Sequence, residues 1–157
     1  MAASGSNRTM ESRTGRTKQR YNAKGDRLVA GVVPLTADKH YVMLIQSTRR
    51  KGWVLPKGGW ESDENCDEAA AREAWEEAGI VVSIDYDLGE IKETNPRKKH
   101  KERSLYHFYE ATVTSEESEW PEKEKRERKW FTFPEAREML KDRPELQTAL
   151  ERSTMKR

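Results

Sequence analysis

Gly58 to Ile80 reads GGWESDENCDEAAAREAWEEAGI, and it decides how the rest of the chain is read. The stretch holds eight acidic side chains (Glu61, Asp63, Glu64, Asp67, Glu68, Glu73, Glu76, Glu77) and one basic one, Arg72. Its second half predicts a helix from Asn65 to Ala78. Asn65 is a good N-cap, and Glu68 three positions on completes a capping-box pair. Gly79 suits the left-handed position just past the end. Ala70, Ala74 and Ala78 repeat every four residues and form a small packable stripe. Glu73 and Glu77 also stand four apart with Glu76 beside them, so three carboxylates crowd one surface. Arg72 can pair with Glu68 and Glu76 but cannot neutralise them all. Carboxylates held this close repel one another, and a hard divalent cation bound through oxygen is the natural counter-charge.

Around this acidic stretch the chain is basic. At 157 residues it is long enough for one domain with a core, and charged residues (37%) outnumber hydrophobic ones (34%). The net charge of +2 hides segregation. Residues 1–27 carry seven basic groups against Glu11 and Asp26. Residues 49–57 carry Arg49, Arg50, Lys51 and Lys57 with no acid, and residues 92–103 carry six basic groups against two acids. An acidic patch set among basic segments suggests a polyanionic substrate bridged to the protein by metal. No apolar run approaches the roughly 20 residues of a membrane span. Cys66 is the single cysteine. It excludes an internal disulfide framework and fits a reducing compartment. Near a helix start its thiolate could be favoured, but no histidine stands near it in sequence and it is assigned no role.

In chain order, residues 1–24 read as a basic, flexible tail and residues 25–157 as one folded domain. Leu28–Pro34 and Tyr41–Ile45 predict strands joined as a hairpin through a turn at Thr36–Lys39. Trp53–Leu55 is a short strand ended by Pro56. Beyond the helix, Ile80–Ile84, Leu88–Ile91, Leu105–Val113 and Trp130–Phe133 read as strands. Residues 92–103 form a long basic loop and residues 115–129 a charged one. Pro134 starts a helix with Ala136, Met139 and Leu140 inward, and Arg143–Arg152 is a second with Leu146, Ala149 and Leu150 inward. Trp53, Trp75 and Trp130 read as core. The class is α/β, with helices covering a mixed sheet.

Written as spacing, the central stretch is Gly58, five residues, Glu64, seven residues, Arg72-Glu73-Ala74, one residue, Glu76-Glu77, one residue, Gly79-Ile80. This resembles the Nudix box, with every fixed position matched, and the order of elements over about residues 27–152 is similar to the Nudix fold. The resemblance implies an α/β/α sandwich with a mixed sheet. Five further segments narrow it: RLVAG, QSTRRKGWVLPKGG, REAWEEAG, LYHFYE, and KWFTFPEA followed by RPEL. They are similar to the diphosphoinositol polyphosphate phosphohydrolases, fungal members above all. That resemblance implies Mg2+-dependent hydrolysis of phosphoanhydride bonds in inositol pyrophosphates, with diadenosine polyphosphates and polyphosphate as further substrates and Mn2+ able to replace Mg2+.

Breaking a phosphoanhydride with water needs charge neutralisation and a positioned nucleophile. Glu73 and Glu77, one turn apart, are the best metal ligands by geometry, helped by the Gly58 carbonyl. Glu76 is then the general base. Sequence alone barely separates it from Glu77, and the resemblance assigns the role. Arg72 would orient the glutamates and Glu64 would brace the loop. The resemblance places substrate contacts on Arg20, Arg27, Ser47, Thr48, Arg49, Lys57, Gly58, Gly59, Arg103 and Arg128, and on Lys98 and Lys99 in the long loop. Lys123 and Lys125 read as ordinary loop charge.

The expected partners are polyphosphorylated small molecules, not membranes or nucleic acid. The chain is expected to be a monomer of the cytoplasm, with the nucleus as a second compartment. A dinucleoside polyphosphate hydrolase is the nearest alternative, although the loops are basic where an adenine clamp would be aromatic. An RNA-binding or decapping protein is the alternative of another class. The acidic helix interrupts the basic groove that it would need.

Overall fold

The strand Arg27–Leu35 (β1) is the centre of the architecture. From Val29 onward every residue of β1 is buried, as expected of a near-continuous apolar run covered on both faces. The structure, a computed structural model, describes residues 8–94 and 103–157. β1 pairs in parallel with β6 (Ser104–Glu116) and antiparallel with β2 (Val42–Gln46) and β4 (Lys57–Gly59). β3 (Trp53–Val54) and β7 (Arg128–Phe131) pair with β2, and β5 (Ile80–Lys92) pairs antiparallel with β6. The sheet is therefore mixed. Helix α1 (Cys66–Ala78) packs on β1, β4 and β5, while α2 (Phe133–Met139) packs on β2 and α3 (Pro144–Arg152) on β5. This is the α/β/α sandwich that the sequence predicts.

The predicted elements differ from the observed ones in informative places. Ile80–Ile84 and Leu88–Ile91 are one strand, because register shifts at Ile84/Tyr86 and Asp87/Gly89 carry β5 past the polar residues between them. β4 was not expected. Its short sequence Lys-Gly-Gly has no apolar pattern, and it exists because β1 offers it a ladder. Met139 is 43% exposed, not inward, whereas Ala136, Leu140, Leu146, Ala149 and Leu150 are fully buried. Residues 8–24, expected as a loose tail, lie along the box. Gln19 bridges to Glu61 and Tyr21 to Arg27, and the Trp75 indole donates to the Thr9 carbonyl at 2.9 Å.

The turn between β1 and β2 holds the chain's last residues through one buried carboxylate. Glu110 on β6 accepts from the Thr154 N–H (2.7 Å) and hydroxyl (2.6 Å), and pairs with Lys39 at 3.1 Å. Burial alone would push its carboxyl up, but the Thr154 and Lys39 bonds outweigh burial and hold it below the ordinary carboxylate range. A depressed carboxyl stabilises the fold above its unfolded-state value, and that contribution is lost as pH falls through the folded one. Glu110→Gln should therefore cost about 1–3 kcal/mol of unfolding free energy near neutrality. The difference from wild type should shrink as urea titrations are repeated at falling pH. An undiminished gap in acid would show that charge is not what Glu110 contributes.

Candidate active site

The site is built where α1 faces β4. Asn65 caps α1, its backbone N–H donating to Glu68 at 2.8 Å, and Gly79 ends it at φ 67°. Ala70, Ala74 and Ala78 are fully buried and seat the helix on the sheet. This fixes the phase of the helix: Glu73 and Glu76 are buried and Glu77 is half-buried.

Arg72 joins these carboxylates. Its guanidinium makes two bonds to Glu64 (2.9 and 2.7 Å), one each to Glu73 (3.0 Å) and Glu76 (3.2 Å), and one to the Gly59 carbonyl (3.0 Å). All five of its N–H donors are thus used. The expected pairing with Glu68 is absent, because Glu68 is spent on the cap. Glu64 also accepts from the Glu61 N–H at 3.1 Å, so it braces the loop before the helix.

Gly58 and Glu73 show why glycine stands there: a Cβ on Gly58 would lie 2.2 Å from the Glu73 carboxyl. The Lys57 N–H donates to Glu77 at 3.0 Å, so the two carboxylates bracket the β4 backbone at Gly58. Burial pushes the Glu73, Glu76 and Glu77 carboxyls all upward, with Glu77 adding to the rise at Glu73. Burial likewise pushes the Lys57 ammonium down to about 8. Crowded, buried carboxylate oxygens beside a glycine carbonyl are the donor set that a hard divalent cation fits. Glu73, Glu77 and the Gly58 carbonyl would hold it. Burial raises the Cys66 thiol, to which no role is assigned, to about 11.

An open cavity of about 550 Å³ lies beside this cluster, reached by Gly58, Lys57 and Glu77. Of the expected substrate residues, Arg27, Ser47, Thr48, Arg49, Lys57 and Gly58 line it. Arg20 does not. Its guanidinium stacks 4.6 Å from the Trp60 ring centre and donates to the carbonyls of Glu61, Ser62 and Glu64. Arg128 does not either. It lies 4.1 Å from the Trp120 ring centre and donates to the Ala78, Gly79 and Glu117 carbonyls, closing the C-terminal end of α1. Gly59 faces the N-terminal segment, where a Cβ would meet Gln19 at 2.1 Å. Arg103 gives its carbonyl to the Arg27 N–H, and its neighbour Ser104 lines the cavity. Lys98 and Lys99 lie outside the described residues.

Four cations that sequence reasoning did not select complete the wall: Arg50, Lys125, Arg126 and Arg143. Arg126 is nearly buried, bonded to Glu122 (3.1 Å) and Thr48 (3.4 Å). Arg143 is held by Glu145 at 3.0 Å. Arg50 adjoins the chosen Arg49. Lys125 and Arg126 sit in a stretch that reads as plain loop charge, and Arg143 at the start of a predicted helix, and only the tertiary fold brings them to the cavity.

Fold and site together set a crowded, buried carboxylate cluster beside a cavity wall rich in cations. The NUDIX domain family matches residues 25–152, and the chain belongs to the Nudix family. It is similar to Nudix hydrolase 21, chloroplastic, of Arabidopsis thaliana, at 41% identity over 140 residues covering 85% of this chain and 70% of that one. Its fold is shared by a NUDIX hydrolase from Nitrosomonas europaea (TM-score 0.70, 19% identity, 81% of this chain and 87% of that one). It is shared also by a C. elegans Ap4A hydrolase (TM-score 0.62, 21% identity, 80% and 93%). The chain is thus a Nudix hydrolase of phosphoanhydride substrates, a family that generally uses a divalent metal such as Mg2+.

The two arginines on either side of Glu127 provide the check. Arg126→Ala should raise KM about tenfold or more, the worth of one charge-assisted contact. Arg128→Ala should leave KM unchanged and lower unfolding free energy by about 1–2 kcal/mol through the lost carbonyl bonds. Steady-state kinetics with urea denaturation on both variants would expose a reversed assignment.

Proposed function

We propose that this Nudix hydrolase cleaves the phosphoanhydride bonds of diphosphoinositol polyphosphates, with diadenosine polyphosphates and polyphosphate as further substrates. One observation carries the reading. Arg27, Arg49, Arg50, Lys57, Lys125, Arg126 and Arg143 all line a single cavity, and among the described residues its only aromatic lining residue, Tyr106, is buried against Phe108. A ring bearing many phosphates needs cations on several sides. A nucleotide is favoured by an open aromatic face, and the described residues of this wall offer none.

Mg2+ held by Glu73, Glu77 and the Gly58 carbonyl would supply charge neutralisation at the phosphates and lower the pKa of a water. The chain's own residues do the rest. The arginines fix the substrate so that little motion is left to organise in the transition state. The Ser47 hydroxyl accepts from the Arg49 and Arg50 N–H groups (3.4 Å each), which shapes the loop that presents both side chains. Arg72 holds Glu76 through Oε2, leaving Oε1 as the atom that takes the proton.

A Mg2+ panel of diphosphoinositol pentakisphosphate, diadenosine hexaphosphate, ADP-ribose, capped RNA and polyphosphate tests the substrate class. Turnover of the inositol compound ahead of the nucleotides is expected, and turnover of ADP-ribose alone would sink the reading. Glu76→Gln should lower kcat by about 10²–10⁴ with an unchanged circular dichroism spectrum. Arg49→Ala should weaken the inositol compound more than the shorter nucleotides, and equal losses would argue against a phosphate cradle there.

A further inference from the structure

The general base assigned to Glu76 does not open into the cavity. Glu76 is 2% exposed, and its Oε2 accepts from the Arg13 backbone N–H at 3.3 Å as well as from Arg72. The segment that covers it is fastened almost wholly by polar bonds. Thr9 takes the Trp75 indole, Ser12 donates to Glu122 at 2.7 Å, Arg13 pairs with Glu61 (2.6 Å) and Asp63 (2.9 Å), and Lys18 with Asp63 (3.2 Å). Met10 is half exposed and anchors nothing. Residues 13–18 are all exposed. Glu122, which holds Ser12 by one oxygen, holds Arg126 of the cavity wall by the other.

We propose that residues 9–18 form an electrostatically latched strap that shuts Glu76 from solvent and lifts when a polyanion takes Arg126. This rests on the reading of Glu76 as base. Exposed ion pairs of this kind are individually weak and screened by salt, so the strap is poised to open. A phosphate on Arg126 competes with Glu122 for the guanidinium and repels the Glu122 carboxylate. The Ser12 contact then shifts with Glu122, and the Arg13 N–H is drawn off Glu76. Arg20, tied to three carbonyls beyond the strap, stays in place and gives the moving part a fixed end.

Trypsin cleavage after Arg13, Arg16 and Lys18, read by mass spectrometry on the metal-free full chain, measures the strap without any need for activity. At low salt, micromolar inorganic tripolyphosphate should speed cleavage at these sites several-fold, and Arg126→Ala should abolish that response. Cleavage that is unchanged or slowed by tripolyphosphate overturns the gate. In a second arm, Arg13→Ala with Ser12→Ala should raise kcat about three- to tenfold at low salt, on whichever compound of the panel is cleaved fastest. It should also flatten the rise of wild-type activity with added NaCl. An equal or lower kcat overturns the strap as a cover and makes it part of the machinery. If every panel compound fails, the function reading fails, and the trypsin arm still decides the strap.

Discussion

The Arg72 guanidinium is the contact on which the site depends. It lies among Glu64, Glu73, Glu76 and the Gly59 carbonyl, with every donor used. Burying a cation is costly unless it is paired and fully hydrogen-bonded, and this one is both. In return it fixes three things at once: the loop before α1 through Glu64, the β4 backbone through Gly59, and the phase of the helix through Glu73 and Glu76. Lysine could not substitute, because a point charge cannot span partners on three sides. Burial opposes the charge of Arg72, and the surrounding carboxylates more than restore it. The carboxylates in turn remain over-supplied with negative charge, which is what makes them competent toward a divalent ion.

The remaining arginines divide by what satisfies them. Arg20 and Arg128 each stack on a tryptophan and give three bonds to backbone carbonyls. Such groups close loop and helix ends whose acceptors would otherwise be unmet. Arg126 and Arg143 are bonded to side-chain carboxylates at the cavity wall. A carboxylate partner can be exchanged for a phosphate oxygen, so the same residue type serves structure in one setting and ligand binding in the other.

This division explains what was legible in the sequence. The helix, its caps and its alanine stripe are local matters of spacing, and Asn65, Glu68, Ala70 and Gly79 state them without tertiary help. β1 is legible because seven successive buried residues leave no other reading. The carboxylate cluster is legible because one turn of helix sets it. β4 and the unity of β5 are not, since Lys-Gly-Gly pairs only because β1 is there, and the polar residues 85–87 that periodicity reads as a break are spanned by register shifts against β6. Arg126 and Arg128 illustrate the limit most sharply. They have the same side chain, two positions apart in one charged run, yet Arg126 is held by Glu122 at the cavity while Arg128 turns to Trp120 and to the end of α1, which is some fifty residues away in sequence.

On the proposed reading, the fold keeps most of the reaction apart from most of the substrate choice. The carboxylates sit on α1, where Ala packing and the Arg72 hub tolerate little change. Most of the cavity's cations sit on the 47–52 loop, the segment before β7 and the residue that opens α3, with Arg27 and Lys57 added from β1 and β4. Loops can change charge and length without disturbing the core that carries the carboxylates. Glu122 is the exception to the separation, because it touches the cavity wall through Arg126 and the N-terminal segment through Ser12. On the strap proposal, that single carboxylate would make occupancy of the cavity felt at the segment covering Glu76, with no rearrangement of the sheet required.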